Sequence, residues 1–120
     1  MPNTNLTKTE SRLAEIIWAQ EPMASSELVM ICAEELDWKK TTTYTMLKKL
    51  ENKGIFSNQG GIIRALISKE EFAALQSREF VSECFGGSLP RFFAAFTRSK
   101  GLNDKEVAEL QKIIDQYKGD

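Results

Sequence analysis

The stretch from Trp38 to Gly54, WKKTTTYTMLKKLENKG, constrains the fold most, because it predicts a single helix with two unlike faces. Helical positions about 100° apart place small and apolar side chains on one face, namely Thr43, Met46, Leu47 and Leu50. The opposite face carries hydroxyls and lysines, and Glu51 is the only acid of the stretch. Exposed helix faces more often pair Glu with Lys at i,i+4 spacing. This face is therefore suited to binding an anion.

DNA is the anion that this combination of side chains favours. Lysines contact phosphates, and threonine hydroxyls and methyls contact phosphates, base edges or the thymine methyl in a major groove. The predicted DNA-binding residues lie on this helix, just before it and in the segment that follows: Lys39, Lys40, Thr41, Thr42, Tyr44, Thr45, Lys48, Lys49 and Arg64. The same pattern also fits a solvated helix whose Thr41 to Thr43 run only supplies an N-cap.

Charge is divided unevenly along the 120 residues, although the formal net charge is only −1. Residues 1–37 hold two basic and seven acidic side chains, whereas residues 38–67 hold six basic side chains and one acid. Residues 68–120 are nearly neutral. A basic segment inside a neutral chain is a local electrostatic footprint for nucleic acid.

Two further helices precede the two-faced helix. Thr7 and Glu10 have the spacing of a capping box, which opens a first helix. Ser25 or Ser26 can cap a second helix that runs to about Leu36. Three helices joined by short turns, with the polar-faced one last, are typical of a helix-turn-helix unit.

The periodicity changes from helical to β-type after Gly54, which has the position of a C′ glycine. Residues 55–58 and 62–67 are β-type runs around a Gln-Gly-Gly turn. They predict a short hairpin, and a helix-turn-helix followed by a hairpin is a winged helix. We therefore expect a mainly α chain with a winged-helix DNA-binding domain in residues 1–68, in which Arg64 can reach the DNA backbone or the minor groove.

The sequence of residues 69–120 predicts three helices, which are too few to bury the phenylalanines of this region. Six of the seven Phe residues lie between positions 72 and 96, and about 50 residues seldom form a satisfactory core alone. We expect this region to dimerise through Phe80, Phe85, Leu89, Phe92, Phe93, Phe96, Val107, Leu110, Ile114 and Tyr117. The alternative is that these helices fold back on the winged helix of the same chain.

The remaining composition argues against an enzyme, a metal site and a membrane protein. The chain has no His, and its sequence shows no nucleophile–base pair, no phosphate-binding glycine loop and no Cys pair at ligand spacing, so we predict no cofactor and no metal. Cys32 and Cys84 each lie in an apolar helical pattern, which favours two reduced, buried thiols. No apolar run approaches the roughly 18 residues of a membrane span, which favours a cytoplasmic protein without membrane insertion.

Several motifs together resemble the penicillinase-repressor family of winged-helix regulators. They are Ile16-Ile17-Trp18 in the first helix, Leu50-Glu51-Asn52-Lys53-Gly54 at the end of the two-faced helix, Phe85-Gly86-Gly87, Leu102-Asn103-Asp104 and Glu109-Leu110. The resemblance covers about residues 7–117. Its specificity lies in the combination, because each short motif is weak alone.

The resemblance implies a homodimeric bacterial repressor that blocks transcription by occupying double-stranded operator DNA with dyad symmetry. It also implies induction by proteolysis, in which a membrane sensor protease, or a consequence of its activation, leads to a cut in the dimerisation helices. The family's cut falls before a phenylalanine and commonly after asparagine, and the nearest counterpart here is Ala95–Phe96. Relatives often carry an arginine where this chain has Tyr44, so the operator sequence is not implied. The C-terminal cysteine cluster of the copper-responsive branch is missing from this sequence.

Two other functions fit the same architecture. A winged helix can serve as a protein-interaction module that never touches DNA, because a fold does not fix function. The basic segment and its almost acid-free helix face favour DNA. The second alternative is a repressor that encloses a small ligand among its Phe-rich helices, although no polar group stands among those phenylalanines to orient a ligand.

Overall fold

The computed structural model describes residues 2–119. Within that range the chain forms six helices and one small antiparallel sheet, which confirms the predicted mainly α fold with a hairpin wing. The elements are, in chain order, α1 (Lys8–Gln20), β1 (Met23–Ala24), α2 (Ser25–Leu36), α3 (Lys40–Asn52), β2 (Phe56–Gln59), β3 (Ile62–Ala65), α4 (Lys69–Phe85), α5 (Leu89–Ser99) and α6 (Asp104–Gln116).

Helices α1 to α3 and the sheet enclose one hydrophobic core. Its fully buried members are Leu13, Ala14, Ile17, Leu28, Cys32, Leu47, Leu50, Ile55, Phe56 and Ile63. Thr43 is buried beside them, whereas Met46, also predicted to face inward, is only partly buried at the edge of the core. The core thereby fixes which face of α3 points outward.

The sheet has three strands rather than the two of the predicted hairpin. β2 and β3 pair antiparallel, with Phe56 opposite Ala65. β1 lies on the other side of β3, with Met23 opposite Ile63. Two residues of extended chain are too few to signal a strand in a sequence. The third strand ties the start of α2 to the wing, which is the β2–β3 hairpin.

Helix α2 begins without the predicted serine cap. Its N-cap residue is Ala24, no side chain caps it, and Ser25 is already helical. The Ser25 N–H instead donates to the Gly61 carbonyl at 2.8 Å. The predicted capping box of Thr7 and Glu10 at α1 is confirmed. A backbone hydrogen bond beside the added strand thus replaces the serine cap at α2.

An ion pair between the buried Glu10 and the partly buried Lys53 joins α1 to the end of α3. Glu10 is 3% exposed, and its Oε1 accepts hydrogen bonds from the Thr7 N–H at 2.8 Å and from Lys53 Nζ at 2.9 Å. Lys53 also donates to the Asn5 carbonyl at 2.7 Å, and its own carbonyl accepts from the Asn3 N–H at 2.9 Å. The N-terminal residues therefore hold the C-terminal end of α3 in place.

Replacing Glu10 tests this ion pair. Burial alone raises the pKa of Glu10, but hydrogen bonds from the Thr7 N–H and from Lys53 outweigh it and leave the pKa below its usual value. Because the folded-state pKa is lowered, the carboxylate stabilises the fold at neutral pH, and that stability is lost as the pH falls through the folded-state pKa. We expect Glu10→Gln to lower the free energy of unfolding by about 1–3 kcal/mol at pH 7. The difference in the free energy of unfolding between Glu10→Gln and the unmodified chain should disappear in acid.

Urea unfolding at several pH values measures that difference. Glu15→Gln is the control, because the salt bridge of Glu15 with Lys69 is exposed on both sides and such pairs contribute little. A difference for Glu10→Gln that stays constant from neutral pH down to about pH 3 would contradict the role assigned to the Glu10 charge.

The start of α4 packs on the winged-helix core. The ring centroid of Trp18 lies 5.2 Å from that of Phe56 and 5.3 Å from that of Phe72, and Trp18 Nε1 donates to the Ile67 carbonyl at 3.0 Å. Phe72 is 4% exposed. The chain accordingly divides into two compact units within α4, after Ser77, whereas the domain boundary predicted from the sequence lies at residue 68.

The second compact unit contains the end of α4 together with α5 and α6, and none of residues 78–119 is buried. Four phenylalanines contact one another, with ring centroids 5.5 to 6.1 Å apart: Phe80, Phe85, Phe92 and Phe96. Even so, Phe80 is 50% and Phe96 is 52% exposed. This unit does not bury its apolar side chains by itself.

Candidate nucleic-acid interface

The outward face of α3 brings together most of the predicted DNA-binding residues. Thr43, Leu47 and Leu50 hold the inner face in the core, so the side chains between them point to solvent. The predicted residues that are exposed here, at the start of the helix and on β3 are Lys39, Lys40, Thr41, Thr42, Thr45, Lys48, Lys49 and Arg64. Glu51, the single acid of α3, is partly buried. The exposed face is therefore cationic and rich in hydroxyls.

The threonines of α3 do not cap it. The N-cap residue is Lys39, and no side chain supplies a cap hydrogen bond, so the interpretation of the Thr41 to Thr43 run as a mere N-cap is wrong. Thr45 Oγ1 donates to the Thr41 carbonyl at 2.8 Å, which leaves its methyl and the lone pairs of its oxygen for a ligand. The first N–H groups of α3 have no side-chain acceptor, and such groups attract phosphate.

Tyr44 is less exposed than the neighbouring residues Thr42 and Thr45. It is partly buried, packs against the core, and its hydroxyl forms a hydrogen bond with Ser25 Oγ at 3.1 Å. Tyr44 is among the DNA-binding residues predicted from the sequence, because it lies near the N-terminus of this helix beside Thr42 and Thr45. The structure directs its hydroxyl towards α2 instead.

Lys53 does not belong to the exposed basic set, although the six basic side chains of residues 38–67 include it. Its ammonium donates to Glu10 and to the Asn5 carbonyl, contacts that no sequence spacing indicates because they join residues more than 40 positions apart. Five basic side chains of that segment remain exposed, namely Lys39, Lys40, Lys48, Lys49 and Arg64.

An open cleft of about 630 Å³ lies between the second half of α3 and β2. Its lining residues are Tyr44, Thr45, Lys48, Lys49, Glu51, Asn52 and Asn58. Asn58 Oδ1 is the one buried side-chain oxygen or nitrogen of residues 2–119 without a hydrogen-bond partner, which is an unusual state for a buried acceptor. Asn52 and Asn58 are not among the DNA-binding residues predicted from the sequence, because asparagine near a glycine turn ordinarily indicates only turn chemistry.

The predicted dimerisation residues form an apolar surface on the second compact unit. Seven of them are exposed: Phe80, Leu89, Phe93, Phe96, Val107, Ile114 and Tyr117. Phe85, Phe92 and Leu110 are partly buried. Several of these residues line an open groove of about 340 Å³ between α5 and α6, and Ile113, which is 51% exposed, adds to its apolar character.

The candidate cleavage bond between Ala95 and Phe96 lies inside α5. Ala95 is partly buried, and the Phe96 carbonyl accepts hydrogen bonds from the Lys100 N–H and from Ser99 Oγ. Proteases bind the residues around the cut in an extended conformation. Part of α5 must therefore unwind before this bond can be cut.

The described residues show no helix long and apolar enough to cross a membrane. Among residues 2–119 no group of three or more side chains could hold a metal ion. Both cysteines are free, and Cys32 is buried as predicted, where burial raises the pKa of its thiol. The prediction of a second buried thiol is wrong, because Cys84 lies near the exposed end of α4.

The chain matches a known family over nearly its whole length. The sequence profile of the penicillinase repressor family matches residues 6–116. A penicillinase repressor of Staphylococcus aureus is 20% identical over 113 residues, which cover 91% of this chain and 90% of that protein. Members of this family are transcriptional regulators and not enzymes. The match spans α3, the wing and the helices that follow, and the chain therefore belongs to the penicillinase repressor family of DNA-binding transcriptional repressors.

Proposed function

We propose that two copies of this chain together occupy a dyad-symmetric operator, each through α3 and its wing, and that this happens in the cytoplasm. The proposal rests on the exposed face of α3, which presents lysines and threonines to solvent. The single acid of the helix is partly buried. A helix fits the major groove of B-DNA, and such a face supplies contacts to phosphates and to base edges.

The side chains divide into two roles. Thr41, Thr42 and Thr45 lie in the first half of α3, where helix-turn-helix proteins contact base edges. The basic side chains hold phosphates and set the position of the helix on the duplex: Lys39, Lys40, Lys48, Lys49 and Arg64. Tyr44 is not assigned to base contact, because its hydroxyl is hydrogen-bonded within the protein.

Dimerisation follows from the second compact unit. Six large apolar side chains of residues 78–119 are half or more exposed, among them Leu89 at 64%, Ile114 at 58% and Tyr117 at 76%. Monomeric soluble proteins rarely expose a contiguous apolar surface of this kind. A second copy of the same unit covers the surface and supplies the missing core. The dimer also brings two recognition faces to one duplex, which provides affinity that five basic side chains cannot supply alone.

Release from the operator follows from loss of that shared core. A cut between Ala95 and Phe96 detaches Phe96 and α6 from the aromatic cluster around Phe92. The remaining fragment keeps the winged helix but lacks half of the apolar surface. We propose that a membrane sensor protease, or a step that it triggers, makes this cut once α5 has opened.

The two roles on α3 should be separable by mutation. We expect Thr45→Ala to weaken binding to the operator about 5- to 10-fold and to leave binding to random duplex nearly unchanged, because a single threonine contact lies at the low end of the roughly 1–3 kcal/mol of discrimination that a good base contact provides. Lys49→Ala should weaken binding to both duplexes by a similar factor. It should also lower the magnitude of the slope of log affinity against log salt (the salt slope) by about 0.9 per lost contact. Titrations on a site selected from a random pool, and on random duplex, measure all four affinities.

Lys105→Ala is the matched control, because Lys105 is an exposed lysine of α6, in the second compact unit, and is not one of the proposed DNA-binding residues. It should leave both affinities and the salt slope unchanged. Equal losses on operator and random duplex for Thr45→Ala and Lys49→Ala would contradict the division into base-reading and phosphate-binding residues.

A further inference from the structure

Ser25, on α2, is hydrogen-bonded to both elements of the proposed DNA-binding surface, α3 and the wing. It is the first residue of α2, and its N–H donates to the Gly61 carbonyl in the wing turn at 2.8 Å. Its hydroxyl is hydrogen-bonded to the hydroxyl of Tyr44, on α3, at 3.1 Å. A chain of two hydrogen bonds therefore runs from α3 through the start of α2 to the turn of the wing.

These two hydrogen bonds begin beside an open cleft. The second half of α3 and β2 are separated by the open cleft of about 630 Å³, and Tyr44 lines that cleft at one end. The wing strands have four residues each, and β1 pairs with β3 over only two residues. Phe56 and Ile63 anchor the base of the wing in the core beside Leu47 and Leu50. The turn of the wing is joined to α2 by the hydrogen bond from Ser25, so the two hydrogen bonds of Ser25 link the position of that turn to α3.

We infer that Tyr44 and Ser25 are positioning residues, which set the wing relative to α3 and so determine how sharply the protein discriminates its operator. Base reading by α3 and phosphate binding by Arg64 on β3 must fit one duplex at the same time. If the spacing between them is loose, that simultaneous fit is lost, whereas attraction to phosphates in general is unaffected. The inference rests on the proposed DNA-binding mode of α3 and the wing.

The test uses full-length Tyr44→Phe, Ser25→Ala and the double variant. Tyr44→Phe keeps the ring in the core and removes only the hydroxyl. We expect each single variant to lower operator affinity about 5-fold, the typical effect of one neutral hydrogen bond, with random-duplex affinity changed less than 2-fold and the salt slope unchanged. The double variant should be no worse than either single variant, because both remove the same hydrogen bond. Ser25→Thr should restore discrimination, since it keeps the hydroxyl.

Ser77→Ala is the control, because it removes an exposed hydroxyl that bonds only to its own helix. A second measurement needs no DNA. Amide hydrogen exchange of the Ser25 N–H, which bonds to the wing turn, should be faster in Tyr44→Phe than in the unmodified chain and unchanged in Ser77→Ala.

The outcomes separate this inference from the proposed function. Unchanged Ser25 exchange in Tyr44→Phe, or losses that add in the double variant, would overturn the positioning role. Equal weakening on operator and random duplex in the single variants would also overturn it. Faster exchange in a protein that does not distinguish operator from random duplex at all would instead support the coupling between α3 and the wing and overturn the proposed operator binding.

Discussion

A chain that ends at Ser77 should fold as a monomer and bind the operator at least about 10³-fold more weakly than the full chain, close to its affinity for random duplex. Its core is complete, because Phe72 and Trp18 pack together within the first compact unit. It lacks the apolar surface of residues 78–119 and therefore the proposed means of holding two recognition faces together. Sedimentation and operator titration compare the two chains.

Salt dependence gives the same prediction in a second form. Each protomer exposes five basic side chains on the proposed surface, and if about half of the ten in a dimer each neutralise a phosphate, log affinity should fall with log salt with a slope near −4.5. The chain that ends at Ser77 should show about half that slope. A truncated chain that remains dimeric, or that binds the operator as tightly as the full chain, would show that the Phe-rich helices do not hold the dimer together. They would then be candidates for enclosing a ligand.

A second truncation separates dimerisation from folding. A chain that ends at Ser68 also loses Phe72, whose side chain is 4% exposed. Removal of a large buried aromatic side chain costs about 3–5 kcal/mol, a large part of the stability of a small domain. We expect this shorter chain to unfold at a clearly lower urea concentration than the chain that ends at Ser77.

Cleavage at the candidate site should have an effect as large as the first truncation. A chain that ends at Ala95 reproduces the N-terminal product of a cut before Phe96, and it lacks the exposed side chains Phe96, Ile114 and Tyr117. We expect it to be monomeric, with an operator affinity at least about 10³-fold below that of the full chain. Its thermal unfolding should still report an intact winged helix.

Whether the cell makes this cut is a separate measurement. Co-expression with a candidate sensor protease under inducing conditions, followed by mass spectrometry of the intact chain, should reveal a product that ends at Ala95. Induction with the chain uncut would contradict proteolytic release. A chain that ends at Ala95 yet stays dimeric on the operator would contradict the mechanism even if the cut occurs.

The winged helix was predictable because local signals and periodicity agree along residues 7–67. The two-faced pattern of α3 identified its buried side correctly at Thr43, Leu47 and Leu50. The Gly-Gly turn located the hairpin, and the capping box located the start of α1. Each of these features depends on neighbours within a few positions, which is the range over which a sequence pattern reports structure.

Features that depend on distant contacts were not predictable. The third strand is two residues long, and it exists only because Met23 meets Ile63 on β3. From the sequence, Lys53 counts as one of the basic side chains that could bind DNA. In the structure its ammonium donates a hydrogen bond to Glu10, 43 positions earlier. Tyr44 lies on the flank of α3, and only the approach of Ser25 on α2 decides where its hydroxyl points.

The boundary between the two units also depends on distant contacts and was not predictable from the sequence. Ser68 and Glu71 form a capping box at the start of α4, and a helix start suggests a boundary. The first two turns of that helix nevertheless pack on the winged-helix core, through Phe72 and Leu75. Packing at a distance therefore moves the division to Ser77, into the middle of a continuous helix.

The most direct test of operator binding by a two-fold symmetric dimer is selection of binding sites by the full-length chain from a pool of random DNA duplexes. We expect the enriched sequences to converge on two inverted half-sites whose centres lie one or two helical turns apart, as a two-fold symmetric dimer requires. Enrichment of a single asymmetric half-site would contradict the dimer, and a pool that shows no enriched sequence would contradict operator recognition by α3.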